Sequence, residues 1–247
     1  MENLLKTASE MLRPSFLDVW FGNEALEYRS DDGTLLRVEN RRELEISYLF
    51  GLLRALWITI QIATLGSFLG AIIALPLGIL VAKNLAAPKI FSLSAKLILD
   101  VSRSVHTLVF GLIFVGIIGL GPTAGILAIA AHSMGTFGKL YAEAIETIEM
   151  DCVRAISSSG ARPMQVFFIG VWPSVLPQVV STNLYLWEYN IRDSTVLGFV
   201  GAGGLGLLFS EAISLFQWGR LTTVILVVVM LVVLFDALSR KIRQILL

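Results

Sequence analysis

Cysteine is almost missing from this chain. The single Cys152 rules out an intramolecular disulfide and a cysteine-based metal cluster. Charge is scarce as well: 15% of the 247 residues are charged, where an ordinary soluble domain carries about 25%. The 19 basic and 19 acidic side chains cancel to zero net charge, so no basic field points to nucleic acid. Histidine occurs only at His106 and His132, and there is no H-E-x-x-H zinc pattern and no G-x-x-x-x-G-K-[ST] phosphate loop. Residues 1–48 are mixed-polar and show no basic start followed by an apolar stretch, so no secretory signal is expected there. What the chain has in quantity is apolar side chain, 55% of it, with a mean hydropathy of +0.77. The missing charge is concentrated in a few long uncharged runs, which is the composition of an integral membrane protein.

A helix needs about 20 apolar residues to cross the hydrocarbon core. Ala55 to Ala82 is uncharged and long enough for one tilted span. Thr107 to Gly138 is also uncharged but holds Gly119-Leu-Gly-Pro122, a turn signal. Two spans are therefore expected around it, Leu97–Leu120 and Pro122–Ala144. Met164 to Leu186 makes a fourth and Leu221 to Phe235 a fifth. The Lys/Arg bias favours an outer N-terminus. The inner loops then carry Lys83, Lys89, Lys96 and Arg103, next Arg154 and Arg162, and last Arg240, Lys241 and Arg243. Against that bias, the tail carries Arg37, Arg41, Arg42 and Arg54. Within the tail, Leu4, Leu5, Met11, Leu12, Phe16, Leu17, Trp20 and Phe21 suit an interfacial helix interrupted by Pro14, or a poorly ordered tail. Asp31-Asp32-Gly33, between Tyr28 and Leu35, reads as a hairpin turn.

Between the third and fourth spans stands a short polar segment, Asp151 to Gly160. Asp151 is a candidate N-cap. Gly160 is a candidate left-handed terminator, and Pro163 suits the first turn of the next helix. Such a two-turn helix is unstable by itself and persists only when framed and packed. It is either an ordinary loop or a docking surface. Arg154-Ala155-Ile156, three serines, Gly160, nine residues and Gly170-Val171-Trp172-Pro173 resemble the Glu-Ala-Ala…Gly…Leu-Pro signature of bacterial ABC importer permeases. Ala155, Gly160 and Pro173 match in register, whereas Arg154 replaces the usual acid and Trp172 the usual leucine. The run Arg192-Asp-Ser-Thr-Val-Leu-Gly-Phe-Val-Gly-Ala-Gly-Gly-Leu-Gly206 is similar, nearly residue for residue, to phosphonate-type permeases. Arg103-Ser-Val105 and Ala142-Glu-Ala-Ile-Glu146 resemble them too. The resemblance covers about residues 50–245.

It implies a type I ABC importer permease: all-α, with about five transmembrane helices plus a cytoplasmic coupling helix at about 151–160. Arg154, Ala155, Ile156, Gly160 and Pro173 would couple to the ATPase. The implied partners are a dimer of cytoplasmic ATP-binding subunits, which hold the ATP and Mg, a periplasmic binding protein, a second permease copy and membrane lipid. The chain itself would carry no cofactor and no catalytic site. An acid on the ATPase would then complement Arg154.

Gly201-Ala-Gly-Gly-Leu-Gly206 fits G-x-G-x-x-G, but it lies between two spans, without the βαβ context that a dinucleotide needs. Gly201, Gly203 and Gly204 are read either as helix-packing residues or as part of an outer gate, with Ser194 and Thr195 beside them. His132, near the middle of the third span, and Ser133 either line the pathway or bond to a neighbouring helix. Arg192 either pairs with Glu188 four residues before it or attracts an anion. Arg103 snorkels to the interface. Gln61, Thr64 and Asn183 are pore groups or helix–helix contacts, and Glu143 with Glu146 forms a solvated face. The expected division is a tail over 1–48 and a permease domain over 49–247, in the inner membrane, acting as a homodimer. The expected cargo is a phosphonate, phosphite or related phosphorus oxyanion. The alternatives are another small solute, such as an amino acid or phosphate, or a non-transport membrane subunit or enzyme.

Overall fold

The structure is a computed structural model and describes residues 7, 9–21, 25–29, 35–85 and 88–246. Leu4, Leu5 and the Asp31-Asp32-Gly33 turn lie outside them. Pro14 breaks the N-terminal segment. A 3-10 turn, Ser15–Leu17, and the short α1, Asp18–Phe21, follow it. Strands β1 (Ala25–Arg29) and β2 (Leu35–Asn40) pair antiparallel. They are a small hairpin attached to an otherwise helical chain.

Asn40 caps α2, Arg41–Val81, by accepting the Arg42 N–H at 3.1 Å. At 1.5 Å per residue α2 is about 60 Å long, roughly twice the hydrocarbon thickness. It begins well before the expected Ala55, so its first turns extend beyond the apolar core. The expected single span Leu97–Leu120 is instead two helices, α3 (Lys89–Ser104) and α4 (Thr107–Ile118), bent by 94°. The break is chemically closed: backbone at Val105 and His106 is extended, and His106 Nδ1 accepts the Leu108 N–H at 3.2 Å. Hydropathy registers apolar length and is blind to such a cap.

The Gly119–Gly121 turn forms as expected, with φ of +100° and +145° at its glycines. It leads into α5, Pro122–Glu146, which starts on Pro122. The polar helix α6, Met150–Ser158, follows. Then α7, Pro163–Val166, runs through a π-helical turn, Phe167–Val171, into α8, Trp172–Leu197. The π turn has a local cause. Pro173 has no N–H to offer the Ile169 carbonyl, and the Trp172 N–H bonds five residues back, to Phe167 O. Helices α9 (Leu205–Ser214) and α10 (Trp218–Leu246) complete the chain.

Among the described residues, three helices are long and apolar enough to cross a membrane by themselves: α2, the α7–α8 run and α10. The bent α3–α4 pair makes a fourth if it is one span. On length and hydropathy the expected five spans thus become three or four. The difference is α5. It has 25 residues, but glycines, serine, threonine and His132 dilute its apolarity. Four of them face protein: Gly125, Ser133, Gly135 and Gly138 are buried.

One end of the molecule gathers the N-terminal segment, the start of α2 and the start of α10. Ser15 Oγ lies 3.1 Å from Thr223 Oγ1, and Arg220 donates to Glu45 at 2.9 Å. Arg41, one of the tail cations that opposed the charge bias, is held by Asp18 at 2.7 Å. Leu12 and Trp20 remain exposed there. The opposite end is closed by Asn84, whose amide donates to the carbonyls of Ile145 and Glu146 at 3.2 and 3.1 Å.

The tightest point is the α8–α9 hairpin. A Cβ on Gly206 would fall inside the Thr195 carbonyl and 2.7 Å from Gly198 Cα. Gly206→Ala is expected to cost about 1–3 kcal/mol by overpacking, lowering the thermal midpoint of the detergent-purified protein by roughly 2–10 °C. Gly116→Ala, whose Cβ meets nothing within 4 Å, is expected to leave that midpoint unchanged or raise it slightly.

Candidate functional site

The helix α6 stands apart from the bundle. Val153 is its buried anchor and Ile156 is half-buried, whereas Arg154, Ala155 and the three serines are exposed. Ile156 turns toward Gly170, where an added Cβ would sit 3.0 Å from Ile156 Cδ1. The hydroxyls of Ser157, Ser158 and Ser159 fold back onto the carbonyls of Arg154, Ala155 and Ile156. These bonds satisfy the last turn and leave a smooth, small-residue surface. Gly160 adopts φ +83°, as expected for a helix terminator, and Pro163 opens α7. Asp151 is not the N-cap. Glu149 occupies that position without a side-chain cap, and Asp151 lies in the first turn, 3.6 Å from Arg154. The helix starts earlier than its polar pattern suggested, because Met150 and Val153 share its apolar edge. Both partners of the Asp151–Arg154 pair are more than three-quarters exposed, so it contributes little.

Above this surface, polar groups join the helices. Ser133 Oγ donates to Asn190 Oδ1 at 3.0 Å, and Asn190 Nδ2 donates to Ser67 Oγ at 2.8 Å. The three residues come from α5, α8 and α2, and all are buried. Tyr141 donates to Asn183 at 2.7 Å, and Trp187 Nε1 donates to Thr64 at 3.0 Å. Asn183 and Thr64 are therefore helix–helix contacts in this conformation, while Gln61 is exposed. The chemistry of Asn190 went unread in the sequence, where it stands between the more conspicuous charges Glu188 and Arg192. Asp193 was likewise missed; it accepts from Thr107 at 2.6 Å and ties α8 to the start of α4.

The Ser194–Gly204 stretch is a compact hairpin. Ser194 Oγ lies 3.2 Å from Thr59 O and 2.8 Å from Ile191 O, and Thr195 donates to Arg192 O at 2.7 Å. Gly201, Gly203 and Gly204 have φ of +90°, +84° and +73°. The Gly204 position packs against Thr59, whose Oγ1 accepts the Leu205 N–H at 2.9 Å. Gly121 N–H bonds to Gly201 O at 3.0 Å and links the two glycine turns. No strand adjoins this hairpin among the described residues, so the dinucleotide fingerprint lacks its context.

Arg192 pairs with Glu188 at 3.8 Å as the spacing suggested, but Arg243 reaches the other Glu188 oxygen at 3.9 Å. His132 is half-buried, with Nδ1 2.8 Å from Val105 O. It shares a hollow with Arg103, Thr136 and Lys139. Arg103 holds Asp100 at 2.9 Å. No group of three metal-ligating side chains occurs among the described residues.

Long apolar helices joined by buried polar contacts, with an exposed two-turn helix at one end, define a multi-pass membrane bundle. Residues 74–246 match the family of binding-protein-dependent transport system inner membrane components, and the chain belongs to that family. It is 38% identical over 193 residues to the phosphite transport system permease protein PtxC of Stutzerimonas stutzeri, covering 78% of this chain and 70% of that one. It is 34% identical over 186 residues to the phosphate-import permease protein PhnE of Mycolicibacterium smegmatis, covering 75% of this chain and 35% of that protein. The fold is similar to a chain of the MetNI methionine ABC transporter in inward-facing conformations, with a TM-score of 0.73 and 23% identity, over 81% of this chain and 98% of that one.

Replacing Asn190 by leucine keeps the branched shape but removes both bonds. At roughly 0.6–2 kcal/mol per intramembrane hydrogen bond, Asn190→Leu is expected to lose about 1–3 kcal/mol in detergent unfolding. A double-mutant cycle with Ser67→Ala is expected to return a coupling of about 0.6 kcal/mol or more.

Proposed function

We propose that this chain is the permease of an ATP-driven importer for a phosphorus oxyanion, with phosphite or a phosphonate as the favoured cargo. The observation that carries the transport reading is α6: a short, exposed helix of small side chains, covalently framed by α5 and α7, in a chain of this family. Its natural occupant is a cleft on a cytoplasmic ATP-hydrolysing subunit. The cargo follows from the relatives, a phosphite permease and a phosphate importer. Phosphate is therefore the second reading.

Two copies of the chain enclose the path, and a periplasmic binding protein delivers the oxyanion to its outer mouth. The Lys/Arg bias puts the α6 end in the cytoplasm and the tail outside. Under this orientation α5, though only moderately apolar, crosses the membrane shielded by α2, α3, α4 and α8. Closure of the ATPase dimer drags α6. The displacement passes through Gly160 into the continuous α7–α8 run and rocks it against α5. This is alternating access by rigid-body motion. Arg154 meets a carboxylate on the motor in place of the usual opposite arrangement. Pro173 sets the π turn that offsets α8 from α7. The glycine hairpin and Ser194 form the outer closure.

At Gly160 an added Cβ meets nothing within 4 Å, so a substitution there acts through φ alone. Gly160→Val is expected to cut uptake at least about fivefold, since a branched residue is strained by 1–3 kcal/mol at positive φ. Gly160→Asn, which tolerates this region, is expected to stay near wild type. Membrane levels of both variants should be normal by immunoblot.

A cysteine at Ala155, in a Cys152→Ser background, is expected to crosslink to the ATP-hydrolysing subunit. Vesicles carrying the whole transporter should accumulate phosphite, with competition by methylphosphonate and weaker competition by phosphate. Insensitivity to all three would remove the cargo assignment.

A further inference from the structure

On α3, Lys89, Lys96 and Arg103 recur every seven residues, along one edge of the helix. Its buried stripe, Ala95, Leu99 and Ser102, packs on α5. Ser102 Oγ meets the Ala131 carbonyl, and Leu99 and Arg103 back onto Gly135. The outer face of α3 is apolar and exposed, with Ile90, Leu97, Ile98 and Val101. The basic edge lies between these two faces. It spans about 21 Å from the end where α2 and α5 close toward the middle of α5.

Across from it, α5 presents a matching polar stripe: His132, Thr136, Lys139, Glu143 and Glu146, spaced four, three, four and three apart, which is one helix face. The space between the two stripes is a continuous groove. A larger part of about 750 Å³ reaches Lys83, Lys89 and Lys96, and a smaller part of about 380 Å³ reaches His132 and Thr136. The two parts share Arg103, Lys139 and Glu143.

Each acid along the groove is matched to a base. Asp100 is 2.9 Å from Arg103, Glu143 is 3.6 Å from Lys139, and Glu146 is 3.8 Å from Lys83. Lys89 and Lys96 have no carboxylate within 4.0 Å among the described residues. The groove is therefore left with surplus positive charge on two exposed lysines. Charged side chains on membrane helices are costly unless they face water or a partner. A column of them on two facing helices marks a wet cavity.

We propose that this groove is the inner half of the cargo path, an aqueous vestibule that passes a phosphorus oxyanion from the His132–Thr136 end to the α6 end. The proposal rests on the transport reading above. Lys96, and then Lys89, attract the anion without a fixed set of converging donors. Binding of that kind is strong enough for entry and weak enough for release. The same charges would suit the phosphate of a lipid headgroup, so the test separates the two sources.

The complete transporter, with its ATPase and binding protein, is reconstituted in vesicles of phosphatidylcholine alone and in vesicles also containing phosphatidylglycerol. Phosphite uptake and binding-protein-stimulated ATP hydrolysis are measured for Lys96→Arg, Lys96→Gln and Lys96→Glu. Uptake is expected to stay near wild type for Lys96→Arg, to fall about threefold for Lys96→Gln and to fall about tenfold for Lys96→Glu, in both lipids. ATP hydrolysis should stay within about twofold throughout, because α6 is untouched. A further check uses Lys96→Cys in the Cys152→Ser background. Phosphite in the inner medium should slow its modification by an anionic thiol reagent.

Unchanged uptake in Lys96→Glu, with wild type transporting phosphite, would overturn the vestibule and leave the transport reading standing. A loss confined to phosphatidylglycerol vesicles would overturn it in favour of a headgroup site. Wild-type vesicles that accumulate none of phosphite, methylphosphonate and phosphate would remove both this proposal and the cargo reading on which it rests.

Discussion

The close approach of α2 to α5 is the contact on which the rest of this molecule is built. In hydrocarbon there is no hydrophobic drive to bring two apolar helices together, so association depends on intimate packing and shared hydrogen bonds. Gly66, Gly70 and Gly78 provide the packing. A Cβ at Gly66 would lie 2.7 Å from Ile129 Cβ, and one at Gly78 would lie 2.8 Å from the Gly138 carbonyl. On its other side α5 receives α3 at Gly135 and Gly138, where Leu99 fills the space. The helix that looks least like a membrane span is thus the central post. Its small and polar residues are tolerable because they meet protein or the groove rather than lipid.

Around that post the remaining joints are few and polar. Asn190 connects α8 to α2 and α5 at once, and Tyr141 meets Asn183 lower down. Hydrogen bonds of this kind are individually modest, so two packings of the same helices can lie within a few kcal/mol of each other. A chain that must alternate between conformations needs such joints rather than a deep apolar seam. The α7–α8 run joins the Gly160 turn to the Asn190 joint through one helix, with the π turn at Phe167–Val171 the local irregularity along it.

Much of the architecture was legible beforehand, because hydropathy and turn chemistry are local. The apolar runs located α2, α8 and α10, and Gly119-Leu-Gly-Pro122 marked its turn because glycine reaches positive φ and proline starts a helix. Gly160 was legible for the same reason. The break between α3 and α4 was not. The 94° bend, where a histidine accepts a backbone N–H, lies in the polar stretch Asp100 to Thr107, which reads equally well as the polar end of one span. Asp151 misled because an acid before a polar run looks like a cap, whereas Met150 and Val153 had already set the helix's apolar edge.

Composition and local pattern by themselves determined that the chain belongs in a membrane and that a short polar helix precedes the apolar α7–α8 run. Each follows from the solvation cost of a residue or the backbone freedom of a few neighbours. Only the tertiary structure decided which polar side chains are helix joints and which face a cavity. Ser133 and His132 are adjacent in the chain, yet one is spent on Asn190 while the other opens toward Arg103 and Lys139. One step along a helix turns a side chain through about 100°, and what it meets there is set by a partner helix brought from far away in the sequence.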